Sequence, residues 1–245
     1  MKWVAVTVFL FAMGVFAQDA IPPGTVLPVE LNSSLNSQKA KAGQRITARV
    51  MQDIPLSKGR KIPAGTRVSG RVVSVSAAKG RSPGEMTLRF DKLKIGRREL
   101  PISTNLRALA SMMDVEDVYV PPTGPDRGTP WAWTEHELIG GEMAYGQGGP
   151  VTYREHTVGE ALFGGVLVSL RAVPGSKCRD EVAGNSEPQA TWVFSSGACG
   201  LYGYEGLTLA HAGRTDPMGQ FTLRSEQGKI EVRGGSGMLL RVSGQ

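Results

Sequence analysis

The segment IPAGTRVSG, Ile62 to Gly70, echoes IPPGTVLPVEL, Ile21 to Leu31. The phrase Ile-Pro-x-Gly-Thr opens at Ile21 and again at Ile62, and an apolar, β-branched run follows each time. Proline fixes φ and removes a donor, and glycine permits left-handed backbone, so the phrase spells a tight corner. The threonine and the residues after it start a strand. Barrels and sandwiches need such corners where the chain passes between sheets. The two phrases are therefore expected to mark equivalent corners of one all-β domain.

The surrounding sequence alternates with period two. Ile46, Ala48 and Val50 point one way, Thr47 and Arg49 the other. Val68, Gly70 and Val72 oppose Arg67, Ser69 and Arg71, and Met86, Leu88 and Phe90 oppose Thr87 and Arg89. Leu100 and Ile102 close the series. This is the pattern of antiparallel strands with one face on a core and one in water. Turn chemistry fills the gaps at Lys58-Gly59-Arg60, Lys79 to Gly84 and Ile95-Gly96-Arg97-Arg98. The expected organisation is a signal peptide over 1–17, a basic barrel-like or sandwich domain over 18–110, a Pro/Gly-rich linker or long loop over 111–150, and a second, smaller antiparallel β-domain over 151–245.

IPPGTVLPVEL, GQRITARVMQDI, IPAGTRVSGRVV and MTLRFDKLKI, in that order, resemble the C-terminal β-barrel of the scaffold proteins of type IV secretion and conjugal transfer. The resemblance covers about residues 21–106 and rests on structural turns. It implies a barrel-like fold in the cell envelope. The long N-terminal tail, inner-membrane helix and Pro-rich stretch of that family have no counterpart here, and no amphipathic helical insertion is visible, so a conjugation channel is not implied.

The first residues read as an address. Lys2 is followed by an uncharged, mostly apolar run from Trp3 to Phe16, and Val15-Phe16-Ala17 ends on a small residue. That is a secretory signal cleaved after Ala17, the alternative being an uncleaved anchor. No cysteine stands near the cleavage site, so no lipid anchor is expected. Export places the chain in an oxidising compartment, periplasmic or extracellular. Cys178 and Cys199, the two cysteines, then read most simply as one disulfide. A metal site or a reactive thiol is less favoured, because no CxxC or nearby histidine accompanies them.

Charge is unevenly spread. Residues 32–107 hold 17 Lys and Arg against 4 Asp and Glu, whereas residues 108–245 hold 10 against 16. A basic half suggests an anionic partner, whether nucleic acid, lipopolysaccharide, a wall polymer or an acidic neighbour. The same charge would also arise from strand faces made basic to block edge pairing. The candidate contacts are Lys58, Arg60, Lys61, Lys79 and Arg81, on turns at opposite ends of one strand and so expected to form two clusters. Trp131 and Trp133, in the Pro/Gly-rich span, are a candidate aromatic platform or a plug for the barrel mouth. Downstream, Val166, Val168 and Leu170 alternate as a strand, and residues 221–242 read as a three-stranded meander.

Catalytic signals are scarce. His136, His156 and His211 are far apart and fit no metal-binding spacing. No serine stands in G-x-S-x-G, and the Gly-rich stretches at 146–149 and 234–237 lack a phosphate loop's Lys-Ser/Thr. Adjacent acids such as Asp180-Glu181 would face opposite ways on a strand. There is no zinc finger or aromatic-basic motif to favour nucleic acid, and no cofactor is implied. The leading expectation is a non-catalytic envelope binding or scaffold protein, with an envelope protein or anionic polymer as partner. A binder of anionic polymer through the basic half, and a hydrolase whose site is assembled from distant residues, are the alternatives.

Overall fold

The computed structural model describes residues 20–78, 82–119, 135–182, 187–226 and 228–244. The expected signal peptide, the turn holding Lys79 and Arg81, and both Trp131 and Trp133 lie outside them. In chain order the strands are β1 (Val26–Leu31), β2 (Leu35–Asn36), β3 (Arg45–Val50), β4 (Ile54–Pro55), β5 (Lys61–Ile62), β6 (Arg67–Ser76), β7 (Gly84–Ile95), β8 (Arg98–Pro101) and β9 (Thr104–Ala110). A short helix, α1 (Met112–Val118), follows. Then come β10 (Glu135–Glu137), β11 (Met143–Tyr145), β12 (Pro150–Tyr153), β13 (His156–Leu162), β14 (Gly165–Val168) and β15 (Gln189–Ala190). The last are β16 (Gly200–Tyr202), β17 (Leu207–His211), β18 (Phe221–Ser225), β19 (Glu231–Val232) and β20 (Gly237–Val242).

Both copies of the repeated phrase make the same corner. The Thr25 N–H donates to Pro22 O and the Thr66 N–H to Pro63 O, each at 3.2 Å. Gly24 and Gly65 take φ of 89° and 81°, the left-handed backbone that the turn demands. Each corner is then seated on a neighbouring strand by the same pair of bonds. Gly24 N–H reaches Val242 O and Val242 N–H reaches Thr25 O, while Gly65 N–H reaches Val50 O and Val50 N–H reaches Thr66 O. The strands that follow, β1 and β6, flank β3 on either side.

The large sheet runs β16-β9-β20-β1-β3-β6-β7-β18-β17, with β8 on β7. It curls until its ends nearly meet, and the Leu106 N–H donates to Ala212 O, just past β17, at 2.9 Å. Bulges in the β6–β7 pairing, one between Ser69 and Gly70, help the long strands bend. The interior holds Leu27, Val29, Ile46, Val68, Leu88, Phe90, Phe221, Leu223 and Leu240.

A second antiparallel sheet, β10-β11-β12-β13-β14-β15, packs on one side of this barrel. Its Leu138, Ala144, Val151 and Val168, with Trp192 and Phe194, form a second core against Val26, Ala108, Ala110 and Leu239. Strands β9, β20 and β1 are thus covered on both faces, and almost every residue in them is buried. Strands β3 and β6 keep an open outer face, as does β7, where exposed or half-buried residues alternate with the core.

The expected division of the chain is corrected on three points. First, residues 151–245 are not one unit, because β18 pairs β7 and β20 pairs both β1 and β9, so the C-terminal strands complete the barrel. Second, the 111–150 span is not simply linker. It holds α1, capped by Ser111, and the first two strands of the second sheet. Third, the meander over 221–242 does not form, since β19 pairs β2 and its two neighbours are drawn to different barrel strands. Alternation identifies strands but not partners, and here all three find partners far away in sequence.

Candidate anion-binding face

The open side of the barrel gathers cations in register. Arg45 stands opposite Arg71, and Arg71 opposite Arg89. Arg49 stands opposite Arg67, and Arg67 opposite Lys94. Between these rows Thr47, Ser69 and Lys92 pair across the same strands. Strands β3, β6 and β7 together carry seven Lys and Arg against two acids, Glu85 and Asp91. Their core-facing residues are apolar, so every cation is on the outer face. Neighbouring strands are ~4.8 Å apart and four residues along a strand span ~13 Å, so the two rows frame a patch of roughly 10 by 13 Å.

Few carboxylates balance this patch. Asp91 takes Arg71 at 2.5 Å, and Glu30 on β1 takes Arg49 at 2.9 Å. Glu99 on β8 stands 3.9 Å from Lys92, and Glu85 faces Arg224, away from the rows, at 3.5 Å. Like charges directly opposite one another destabilise a sheet, by about 0.8 kcal/mol per pair at ~5 Å in water before salt screening. All three strands are paired on both sides within the sheet. Blocking an exposed edge therefore does not explain the charge.

Of the expected turn residues, the described Lys58, Arg60 and Lys61 flank the face rather than form it. The β4–β5 excursion leaves the barrel after Val50 and returns before Arg67, at the end that carries Arg49, and Lys58, Arg60 and Lys61 are exposed on it. Lys61 is paired with Asp53 at 2.6 Å. That hydrogen bond, with a second from the Ala64 N–H, holds the Asp53 carboxyl below its usual range. The strand cations that form the face were legible as the polar half of each alternating run. Their alignment was not, because register depends on turn lengths and on the bulges in the β6–β7 pairing.

Elsewhere three charged side chains, Arg107, Glu142 and Glu181, are buried. Cys178 and Cys199 are joined, with Cα atoms 5.9 Å apart. Beside them the buried Arg107 donates to Glu181 at 3.2 Å, and Glu181 also receives Arg214. Burial lowers the Arg107 pKa, and Glu181 opposes that shift. Glu142, fully buried, accepts from the Ser196 N–H at 2.7 Å, the Ser196 hydroxyl at 2.5 Å and Arg171 at 3.4 Å. These contacts tie the segment after β15 to the second sheet. The histidines are on three different strands, β10, β13 and β17, and no group of three or more potential ligands gathers among the described residues.

An apolar cavity of about 300 Å³ opens between α1 and the second sheet, lined by Val118, Leu138, Ala161 and Trp192 among others. At its rim the His136 Nδ1 meets Val118 O at 2.9 Å, and Trp192 Nε1 donates to the Tyr119 hydroxyl at 2.5 Å. Burial raises the Tyr119 pKa, so the phenol stays neutral at ordinary pH. No protein-family model matches the chain, and neither curated proteins nor solved structures yield a similar protein.

Proposed function

We propose that the protein is a non-catalytic binding protein of the cell envelope that holds an anionic partner against the open side of its barrel. The observation that carries this reading is the pair of cation rows, Arg45–Arg71–Arg89 and Arg49–Arg67–Lys94, on central, fully paired strands. Five of the seven cations on β3, β6 and β7 are arginines. Guanidinium forks match the paired oxygens of phosphate and carboxylate better than ammonium groups do. The envelope setting is supported by the signal-like first residues, the disulfide, and the resemblance of residues 21–106 to envelope barrels.

The test is retention of the mature chain on immobilised heparin across a salt series. Binding driven by counterion release weakens linearly on a log–log plot as salt rises. A variant with Arg45→Gln, Arg71→Gln and Arg89→Gln should elute at much lower salt, with its thermal transition preserved. Equal elution of variant and parent would place any anion binding elsewhere. Failure of the parent to bind even at low salt would reduce the face to a solvated surface.

A further inference from the structure

Exposed apolar side chains border one end of the basic face. The β13–β14 hairpin turns at Phe163-Gly164, and Phe163 at its apex is 88% exposed. Leu162 and Tyr119, 38% and 56% exposed, line the same cavity rim. A ring so exposed adds almost nothing to the protein's own burial. The hairpin stands against the end of β3: a Cβ on Gly164 would lie 3.9 Å from Met51 O, two residues beyond Arg49. A Cβ on Gly165 would meet the Gln52 side chain, and the Gln52 Nε2 donates to Val166 O at 2.9 Å, so the hairpin is fixed to the barrel at this point.

Resting on the anion-binding reading above, we infer that the anionic partner is a phosphate-bearing membrane surface, with the basic face on the headgroups and the Phe163 tip entering the interface. Three observations select a surface over a linear polymer. The cations spread in two dimensions over three strands rather than along one line. No aromatic side chain is among the outward residues of β3, β6 and β7, so the face offers no platform on which bases could stack. An exposed phenyl ring beside a cationic array is the pairing that interfacial binding uses, electrostatic attraction to anionic lipid plus insertion of an apolar anchor.

The experiment is co-sedimentation of the full mature chain with vesicles of phosphatidylcholine, alone or mixed with phosphatidylglycerol, beside heparin retention in the same buffer. The parent should bind the mixed vesicles and not phosphatidylcholine alone. Phe163→Ala should weaken vesicle binding about tenfold. Its elution from heparin should match the parent, because the ring is outside the cation rows. The triple arginine variant should lose about a hundredfold on vesicles and should also elute early from heparin. Heparin retention without binding to mixed vesicles would overturn the membrane partner and leave the anion-binding reading standing. Phe163→Ala binding vesicles as tightly as the parent would overturn the inserted tip, and tighter binding to single-stranded DNA than to mixed vesicles would overturn the choice of surface. Loss of both vesicle and heparin binding in the parent would remove both readings together.

Discussion

Single residues carry the barrel's bends, and two glycines do so for different reasons. Gly65 sits at φ 81° with nothing within 4 Å of where a Cβ would stand. Gly65→Ala therefore meets backbone strain alone, about 1 kcal/mol. Gly70 has ordinary backbone, but a Cβ there would come 1.8 Å from Arg89 O, a carbonyl of the paired strand. Gly70→Ala must push β6 from β7, and a loss of about 3 kcal/mol is expected. Thermal melts of the two variants should separate clearly; equal shifts would show that the bulge tolerates a side chain. Tyr204 adds a pH signature. Burial pushes its phenol up to about 12, while its oxygen meets the Ser236 hydroxyl at 2.8 Å. An unfolded tyrosine ionises near 10, so the unfolded chain releases this proton first. The stability tied to Tyr204 is whole below pH ~10 and is lost as pH rises toward ~12, by about 3 kcal/mol in all. Denaturation midpoints across that range should fall, and Tyr204→Phe should flatten the part of the fall that belongs to this group.

At the scale of elements, the second sheet is joined to its neighbours by buried charge as well as by apolar packing. Glu142 lies in the turn between β10 and β11, and its carboxylate serves Ser196 and Arg171, whose guanidinium packs 3.5 Å from the Tyr153 ring centre. Glu142→Gln keeps the shape but removes the charge that these donors face, and a loss of about 2 kcal/mol is expected. Glu142→Ala should cost about 3–5 kcal/mol, because Arg171 is left without its carboxylate. Chemical denaturation measures both, and a Gln variant as stable as the parent would reduce the network to packing. Strands such as β3, β6 and β7 were legible in the sequence because one of their faces meets water and alternation results. β9 was not, since both of its faces are buried and even Arg107 is enclosed, so no polar half marks its period. The disulfide was legible from the two cysteines and the absence of a CxxC pattern. The arginine rows were legible only as scattered outward residues, since their alignment depends on strand register, which the bulges in the β6–β7 pairing shift.

For the whole molecule, charge follows cover. The second sheet hides β9, β20 and β1, which are buried on both faces, and the basic strands are those left open. The same geometry decides what can fold. The strands of the first half end with β9 at Ala110, yet β1 borders β20 on one side, and β7 borders β18. Leu240 and Val242 from β20 complete the interior beside Leu27 and Val29, and Phe221 and Leu223 from β18 stand in register with Leu88 and Met86. A fragment of residues 18–110 would expose these apolar faces and leave a row of unpaired backbone groups along β1 and another along β7. It should therefore show no cooperative thermal transition and should associate through its open edges, whereas the full chain, with its barrel nearly closed, should melt cooperatively. Circular dichroism melts and sedimentation of the fragment decide the matter. A monomeric fragment with a sharp transition would mean that the first half closes on itself, with β20 and β18 added to a barrel already made. Aggregation or a flat melt is the outcome that a barrel closed by its own C-terminal strands requires.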